Sequence, residues 1–472
     1  MPPIVVVFED HSVVDFRPLA WSLPLYEIRG GLLNLRERFE RDLPEVGGQA
    51  RLGLLPRGLL AALQELNCEP GTVVGVEACR AAAQRGGALF VNARLGALAR
   101  FPGALCRAAA GQEWAWADEG GLLACALGPA RAVAWLAAWA DWEKRAAAAG
   151  VWSRDARRPA AFAPDLADLG PCPVDPTEGR QQGAAWRGLW ELVPGLGEAI
   201  GADCALTAAQ AGLPPRRPFG IVPDPGAWPD QPPWAMGTTL AKLAGGARPD
   251  LHVQGEVWIG SEASLAPGTV IDGQAGPVVL DRGVQVQPHC YLQGPLYIGP
   301  ATLVKAGARI YGETSIGAGC RVAGEIAESL FLDFVNKQHE GFIGHAVLGA
   351  WVNLGAGTTC SDLKNNYGAV RIDYGLGPVD TGLRFVGVSM AEHAKSAIGT
   401  LFNTGSVVGF ASNVFGAGFP PKTLPNYTWG DPAGAPYDAK RAAAVAATVM
   451  ARRGCRFLPA HERLFLDLAR SD

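Results

Sequence analysis

Aliphatic side chains recur every six residues through the second half of the chain. Leu280, Val286, Leu292, Ile298, Val304, Ile310, Ile316 and Val322 follow one another at that step. Ile259, Leu265 and Ile271 form an earlier run in the same step, displaced by an insertion of three, and the pattern returns with Val386, Ile398, Val408 and Val414. Small and turn-forming residues follow many of these positions, as in "IGSEAS", "VKAGAR" and "IGAGCR". Neither an amphipathic helix nor a half-buried strand has this period. A β-helix does, because each hexad supplies one short strand and one corner, with the aliphatic residue pointing into a stacked core. The spacing predicts a solenoid over residues 251–430.

The first half has a different texture. "IVVVF", "GTVVGVEA" and "GALFVNARLGAL" have the look of short buried strands, while "LNLRERFERDL" and "ARAVAWLAAWADWEKRAAAA" carry helical spacing. Strands alternating with helices predict an α/β domain with a largely parallel sheet over 1–211. Residues 212–250 begin with the Pro- and Gly-rich "GLPPRRPFGIVPDPGAWPDQPPWAMG" and mark a connector. The segment 431–472 predicts helix, packed on the end or side of the solenoid.

Composition adds limits. The 472 residues suffice for two or three full cores, and 18% charge with nearly half hydrophobic residues is globular. A net charge of −4 gives no broad attraction for nucleic acid or an anionic membrane. No apolar run reaches the roughly 20 residues of a membrane span. The start "MPPIVVVFEDHS" lacks a secretory pattern. The ten cysteines contain no CxxC pair. The expectation is a cytoplasmic protein with reduced thiols, binding neither nucleic acid nor membrane.

Against the repeat stands "GFIGHAVLGAWVNLGAGTTCSDLKNNYG", residues 341–368, where a histidine, three asparagines, an aspartate, a lysine and a tyrosine crowd together. The hexads resemble those of the left-handed parallel β-helix acyltransferases. With "NKQHEGFIGH", "WVNLGAGTTCSDLKNNYG" and "FNTGSVVG…NVFGAGFPPK", and with the opening "FEDHSVVDFRPLAWSLPLYEIRGGLLNLRERFE", the chain resembles the bifunctional N-acetylglucosamine-1-phosphate uridylyltransferase/glucosamine-1-phosphate N-acetyltransferase family. The resemblance implies a Rossmann-like nucleotidyltransferase domain, a left-handed β-helix domain, a homotrimer, and acetyl-CoA as co-substrate for N-acetylation of a hexosamine phosphate. UTP and Mg²⁺ would follow only if the first domain is active.

Amine acetylation needs a base for the amine proton, a donor for the thioester oxygen and cations for the phosphate. An imidazole suits the first role, and Gly344-His345 stands where the family places its catalytic histidine. By resemblance, Asn353 would contact sugar, although asparagine ladders also form in solenoid corners for structural reasons. The family's Asn-Tyr pair is replaced here by Asp362-Leu363, and Lys364, Asn365, Asn366 and Tyr367 follow in shifted order. Lys364, Lys337 and Arg384 are candidates for the sugar phosphate, and His393 and Lys395 for the CoA phosphates.

Nucleotidyl transfer needs a phosphate cradle, a cation and a metal-binding carboxylate. Here no glycine cluster precedes Arg17, Arg29 stands where the family has lysine, and the strand "ALFVNARLGA" ends in Asn92 and Arg94 rather than an aspartate. Arg17, Arg29 and Asn92 remain the candidates for nucleotide binding, and Glu9, Asp10 or Asp15 for a metal. The domain is expected to bind a sugar nucleotide or to have lost the metal-dependent step. Two alternatives differ in class. One is a zinc-dependent, carbonic-anhydrase-like β-helix enzyme using His289, His339, His345 and His393. The other is a trimeric scaffold that senses sugar nucleotides without catalysis.

Overall fold

The structure, a computed structural model, describes residues 3–47, 51–66, 68–69, 71–97, 109, 112–151, 158–173, 185–209, 212–228, 231–246, 248–430 and 432–470. The first domain is built on a sheet. Its strands are β1 (Ile4–Phe8), β2 (Leu52–Leu55), β3 (Val73–Val74), β4 (Ala88–Asn92), β5 (Trp114–Asp118), β6 (Gly121–Leu127) and β7 (Gly170–Pro171), in the order β3-β2-β1-β4-β6-β5-β7. The β3-β2-β1-β4 portion is parallel, and β6 runs antiparallel to β4 and β5. β1 and β4 are buried at every position, as expected of central strands covered on both faces. The crossover helices are α1 (Leu35–Gly47), α2 (Gly58–Glu65) and α3 (Val76–Gly86). α4 (Pro129–Ala148) lays Trp135, Trp139 and Trp142 into the core, where Trp135 stacks on Phe90 and meets Phe8 edge-on.

The second half is a parallel solenoid with three faces. Its inward residues stack in register: Leu280, Ile298, Ile316, Phe331, Leu348, Met390, Val408 and Leu424 on one face. Ile271, Leu292, Ile310, Ile326 and Ile343 stack on another. The hexad spacing is thus the packing period of the core. Val386 and Ile398 fall out of this phase. Ile398 is 82% exposed at a corner, and Ser396 takes the inward place two residues earlier. The reason is a long excursion before residue 388 that resets the count.

The outward positions of one solenoid face are also buried: Val279, Tyr297, Ser315, Leu330, Val347, Ser389 and Val407. The first domain lies along this face. α5 (Leu196–Ala209) and Leu32–Leu33 share an apolar cluster with Val279 and Tyr297, and Ser315 Oγ donates to the Gly31 carbonyl at 2.8 Å. Charge reinforces the junction. Arg216 donates to Glu37 at 2.9 Å and to Tyr297 Oη at 2.7 Å, and Tyr297 Oη in turn donates to Asp281 at 2.7 Å. The expected connector is therefore pinned: Arg216 joins this network, and Thr238–Lys242 pairs antiparallel with the first coil strand, His252–Gly260. The C-terminal helices α6 (Ala439–Ala451) and α7 (Pro459–Leu468) pack on the side, joining Trp21, Leu60 and Leu63 of the first domain to Phe410 and Tyr427 of the solenoid.

Candidate functional site

One corner of the solenoid carries a column of ionisable side chains. Glu313, Glu328 and His345 occupy equivalent corner positions on successive coils, each with a left-handed φ of 52°, 42° and 46°. Asp362 follows at the next coil, 17 residues beyond His345. His345 Nδ1 lies 2.8 Å from Asp362 Oδ2, and Nε2 lies 2.6 Å from Glu328 Oε2. The ring stacks on Phe385, with centroids 4.9 Å apart and planes 19° apart. A Cβ at Gly344 would fall 2.5 Å from both Asp362 Oδ2 and the Phe342 ring, so a larger residue would push these side chains aside. Burial pushes the His345 pKa down, but the hydrogen bonds and charges of Asp362 and Glu328 outweigh it and lift the value to about 9. Burial, with the neighbouring Glu328, raises the Glu313 carboxyl.

The polar stretch departs from the coil at this corner. Chain leaves at Asp362 and returns at Gly387. Val386 N donates to the Asp362 carbonyl at 2.9 Å, and Gly387 N donates to the His345 carbonyl at 2.8 Å, so the loop is closed at its neck beside His345. The hairpin Arg371–Asp373/Pro378–Asp380 forms its tip. Asn365, Asn366 and Tyr367 are exposed on the loop, as is Arg384 beside Phe385. Lys364 Nζ donates to the Ala369 carbonyl at 2.9 Å. His345, Lys364–Tyr367 and Arg384 thus share one region of the chain.

Other expected site residues sit elsewhere. Asn353 points outward on a different face and accepts from Asn336 Nδ2 at 2.5 Å, the start of a ladder. Lys337, expected on the sugar phosphate, is 2% exposed and takes an inward hexad position beside Val322. Its ammonium donates to the carbonyls of Ala323 and His339, each at 2.9 Å, and burial lowers its pKa to about 8. His393, expected near CoA phosphates, is enclosed at another corner, stacked on Trp351 and edge-on to Phe410 and Phe465, with its pKa pushed far down by burial. Lys395 is half-buried, donating to the His393 carbonyl at 2.8 Å, its pKa lowered to about 8 by burial. His289 and His339 lie on one column of corners, His345 on a second and His393 on a third. Among the described residues no three His, Cys, Asp or Glu side chains are grouped so as to hold a metal ion.

In the first domain the strand order reverses at β1, which makes the crevice between the C-terminal ends of β1 and β4 the expected ligand position. Asn92 is there, but its amide donates to Asp10 at 2.8 Å and to the Leu122 carbonyl at 2.9 Å. Arg17 is 2% exposed, donates to the Val151 carbonyl and lies 4.1 Å over Trp21; burial lowers its pKa to about 9. Arg29 is enclosed at the domain junction, 3.7 Å from Glu37 and 3.6 Å from Asp333, rather than open to a phosphate. The candidate metal carboxylates are engaged too. Glu9 pairs with Arg57 at 2.9 Å. Asp10 accepts from Ser12 through one oxygen and Asn92 through the other. Asp15 pairs with Arg158. This donor set does not fit Mg²⁺ held by free carboxylates.

Sequence reasoning did not single out Glu328 or Phe385, and it named Asp362 only as a departure from the family's Asn-Tyr pair. The two carboxylates stand one coil before and one coil after His345, and that interval was the available signal. It is 17 residues rather than 18 because the coils shorten here, which hides the stacking from a count by hexads.

These features define a two-domain protein in which an α/β domain is docked along a parallel solenoid whose corner carries a carboxylate-flanked histidine. Residues 5–210 match the sugar nucleotidyl transferase family. The bifunctional protein GlmU of Nostoc sp. (strain PCC 7120) is 28% identical over 125 residues, 26% of this chain and 26% of the relative. Those of Cupriavidus pinatubonensis and Exiguobacterium sp. are each 32% identical, over 155 residues (29% of this chain, 33% of the relative) and 138 residues (26% and 31%). The chain therefore matches a quarter to a third of the length of these relatives. Over these segments it is similar to the GlmU-like sugar nucleotidyltransferases. Among the described residues, no helix is long and apolar enough to cross a membrane.

Proposed function

We propose that the solenoid, taken as a left-handed β-helix, is an acetyl-CoA-dependent N-acetyltransferase acting on a hexosamine phosphate of the glucosamine 1-phosphate type. It would serve sugar-nucleotide synthesis of the UDP-N-acetylglucosamine kind in the cytoplasm. The observation that carries this reading is His345, held at the corner where the loop bearing Lys364, Asn365, Asn366 and Tyr367 leaves the coil. Glu328 is half-exposed, so it can swing away from Nε2 and let the acceptor nitrogen take its place. Its departure removes one of the two carboxylates that raise the His345 pKa, and His345 in its neutral form then removes a proton from the amine. The amine nitrogen bonds to the acetyl carbonyl carbon, the carbon–sulfur bond breaks, and the CoA thiolate leaves and is protonated. Lys364 and Arg384 would meet the sugar phosphate.

Asn353 lies on a different face from His345, so the two would share a site only across neighbouring subunits, which favours a homotrimer. Ile398, Leu401, Phe415, Phe419 and Trp429 are exposed on the upper coils and are the kind of apolar surface such assembly covers. The first domain, of nucleotidyltransferase type, is assigned sugar-nucleotide recognition.

The deciding experiment is thiol release from acetyl-CoA on adding glucosamine 1-phosphate, with wild type and His345→Ala together. We expect release by the wild type and a loss on the order of 100-fold or more in the variant. Undiminished release by His345→Ala would overturn the assignment.

A further inference from the structure

The loop at residues 361–387 is more than a platform for polar side chains, because both ends of it touch the His345 ring. Asp362, at its start, meets Nδ1 at 2.8 Å, and Phe385, at its end, stacks on the ring with centroids 4.9 Å apart. The two ends are tied to each other by an antiparallel bridge between Leu363 and Phe385 and by the Val386 N to Asp362 carbonyl bond. The tip has its own anchor. Val370, Ile372 and Tyr374 are buried in the apolar cluster that the first domain shares with the solenoid, and Tyr374 stacks on Trp190 of the first domain with centroids 6.1 Å apart and planes 13° apart. Thr423 Oγ1 donates to the Asp373 carbonyl at 3.0 Å and holds the same hairpin to the upper coil.

We propose that Asp362 is the positioning residue for His345, with Phe385 as its partner, and that the first domain braces this grip through Trp190 and Tyr374. The proposal rests on the acetyl-transfer reading for its kinetic consequences, but the grip itself is a property of the fold. A carboxylate at Nδ1 keeps the proton on that nitrogen, so that Nε2 is the one presented to an acceptor, and it stabilises the imidazolium formed when the acceptor proton is taken. Stacking on Phe385 fixes the ring plane. Glu328, which meets Nε2 and is half-exposed, is the group that must yield; Asp362, with a side chain only 16% exposed, is the one that stays. The titratable groups facing the ring are Glu313 and Glu328 from the coils below and Asp362 from the loop above.

The test uses the full chain with histidine-selective NMR labels and three variants, Asp362→Asn, Trp190→Leu and Glu313→Gln. The Asp362→Asn variant should lower the His345 pKa by at least about one unit. It should lower kcat for acetyl transfer by about 10- to 100-fold with the acetyl-CoA KM within twofold, and move the acidic limb of the pH–rate profile, where the base becomes protonated, down with the pKa. Trp190→Leu should lower kcat in the same sense, leave the circular dichroism unchanged, and increase exchange broadening of the His345 ring signals. Glu313→Gln, one coil further from the ring, should shift the pKa by less than Asp362→Asn does. An unchanged His345 pKa in Asp362→Asn would overturn the proposal whatever the activity. A shifted pKa in a protein without acetyl transfer would instead refute the acetyl-transfer reading and leave the grip standing. Wild-type ring signals and kcat in Trp190→Leu would remove the first domain from the account.

Discussion

If the two domains form one folding unit, the arginine at their junction should matter far more than its sequence neighbour. Arg216 is 1% exposed and donates to Glu37 and to Tyr297 Oη, with Asp281 3.8 Å from its Nε. Arg216→Met keeps the stem but removes two hydrogen bonds involving charge, each contributing about 1.5–3 kcal/mol. It also leaves the Glu37 carboxylate with Arg29 at 3.7 Å and the Asn34 backbone N–H at 3.0 Å. Tyr297 keeps its bond to Asp281. Breaking a buried pair on one side costs about 3–5 kcal/mol, and that is the expected loss in urea unfolding monitored by tryptophan fluorescence. Arg217 is the internal control. It pairs with Glu69 at 2.9 Å, but both side chains are about a third exposed, so Arg217→Met should cost about 1 kcal/mol or less. If Arg216→Met costs no more than Arg217→Met, the junction is not held as described, and the brace through Trp190 loses its basis.

Stability should also depend on pH through His345. Its folded pKa of about 9 lies above the unfolded value of 6.5, so its contribution is full below pH 6.5 and is lost as pH rises through 9. The loss is on the order of 2–3 kcal/mol, read as a lower urea midpoint at about pH 10 than at about pH 6, and Asp362→Asn should flatten it. The opposite sign holds for His393, whose folded pKa is depressed by burial; its contribution is present above pH 6.5 and is lost as pH falls below it. His393→Phe should therefore reduce destabilisation at about pH 5. Lys337→Met replaces a buried amine at an aliphatic position and should change stability by less than about 1.5 kcal/mol while leaving acetyl transfer intact. A severe loss of transfer with normal folding would return Lys337 to the site.

The amino-acid sequence by itself determined the period of the solenoid. A six-residue aliphatic step is a local property of each hexad, so Leu280 to Val322 announced their own stacking, and the alternation of apolar strands with helical stretches announced the α/β domain. It also marked His345 and the break in rhythm around it. Only the tertiary structure decided which polar residues are spent on folding. Lys337 sits inside the coil with its ammonium on the carbonyls of His339, its near neighbour, and of Ala323 on the preceding coil, which only the stacking brings within reach. Arg29 and His393 were drawn into the junction by partners hundreds of residues away or on other elements: Asp333 for the first, Phe465 for the second. The outward row from Val279 to Val407 is buried because a whole domain covers it. Asp362 reaches His345 only because one coil ends where the loop begins. Period is written in nearest neighbours along the chain, whereas burial, pairing and the environment of a titrating ring depend on what the fold brings from elsewhere.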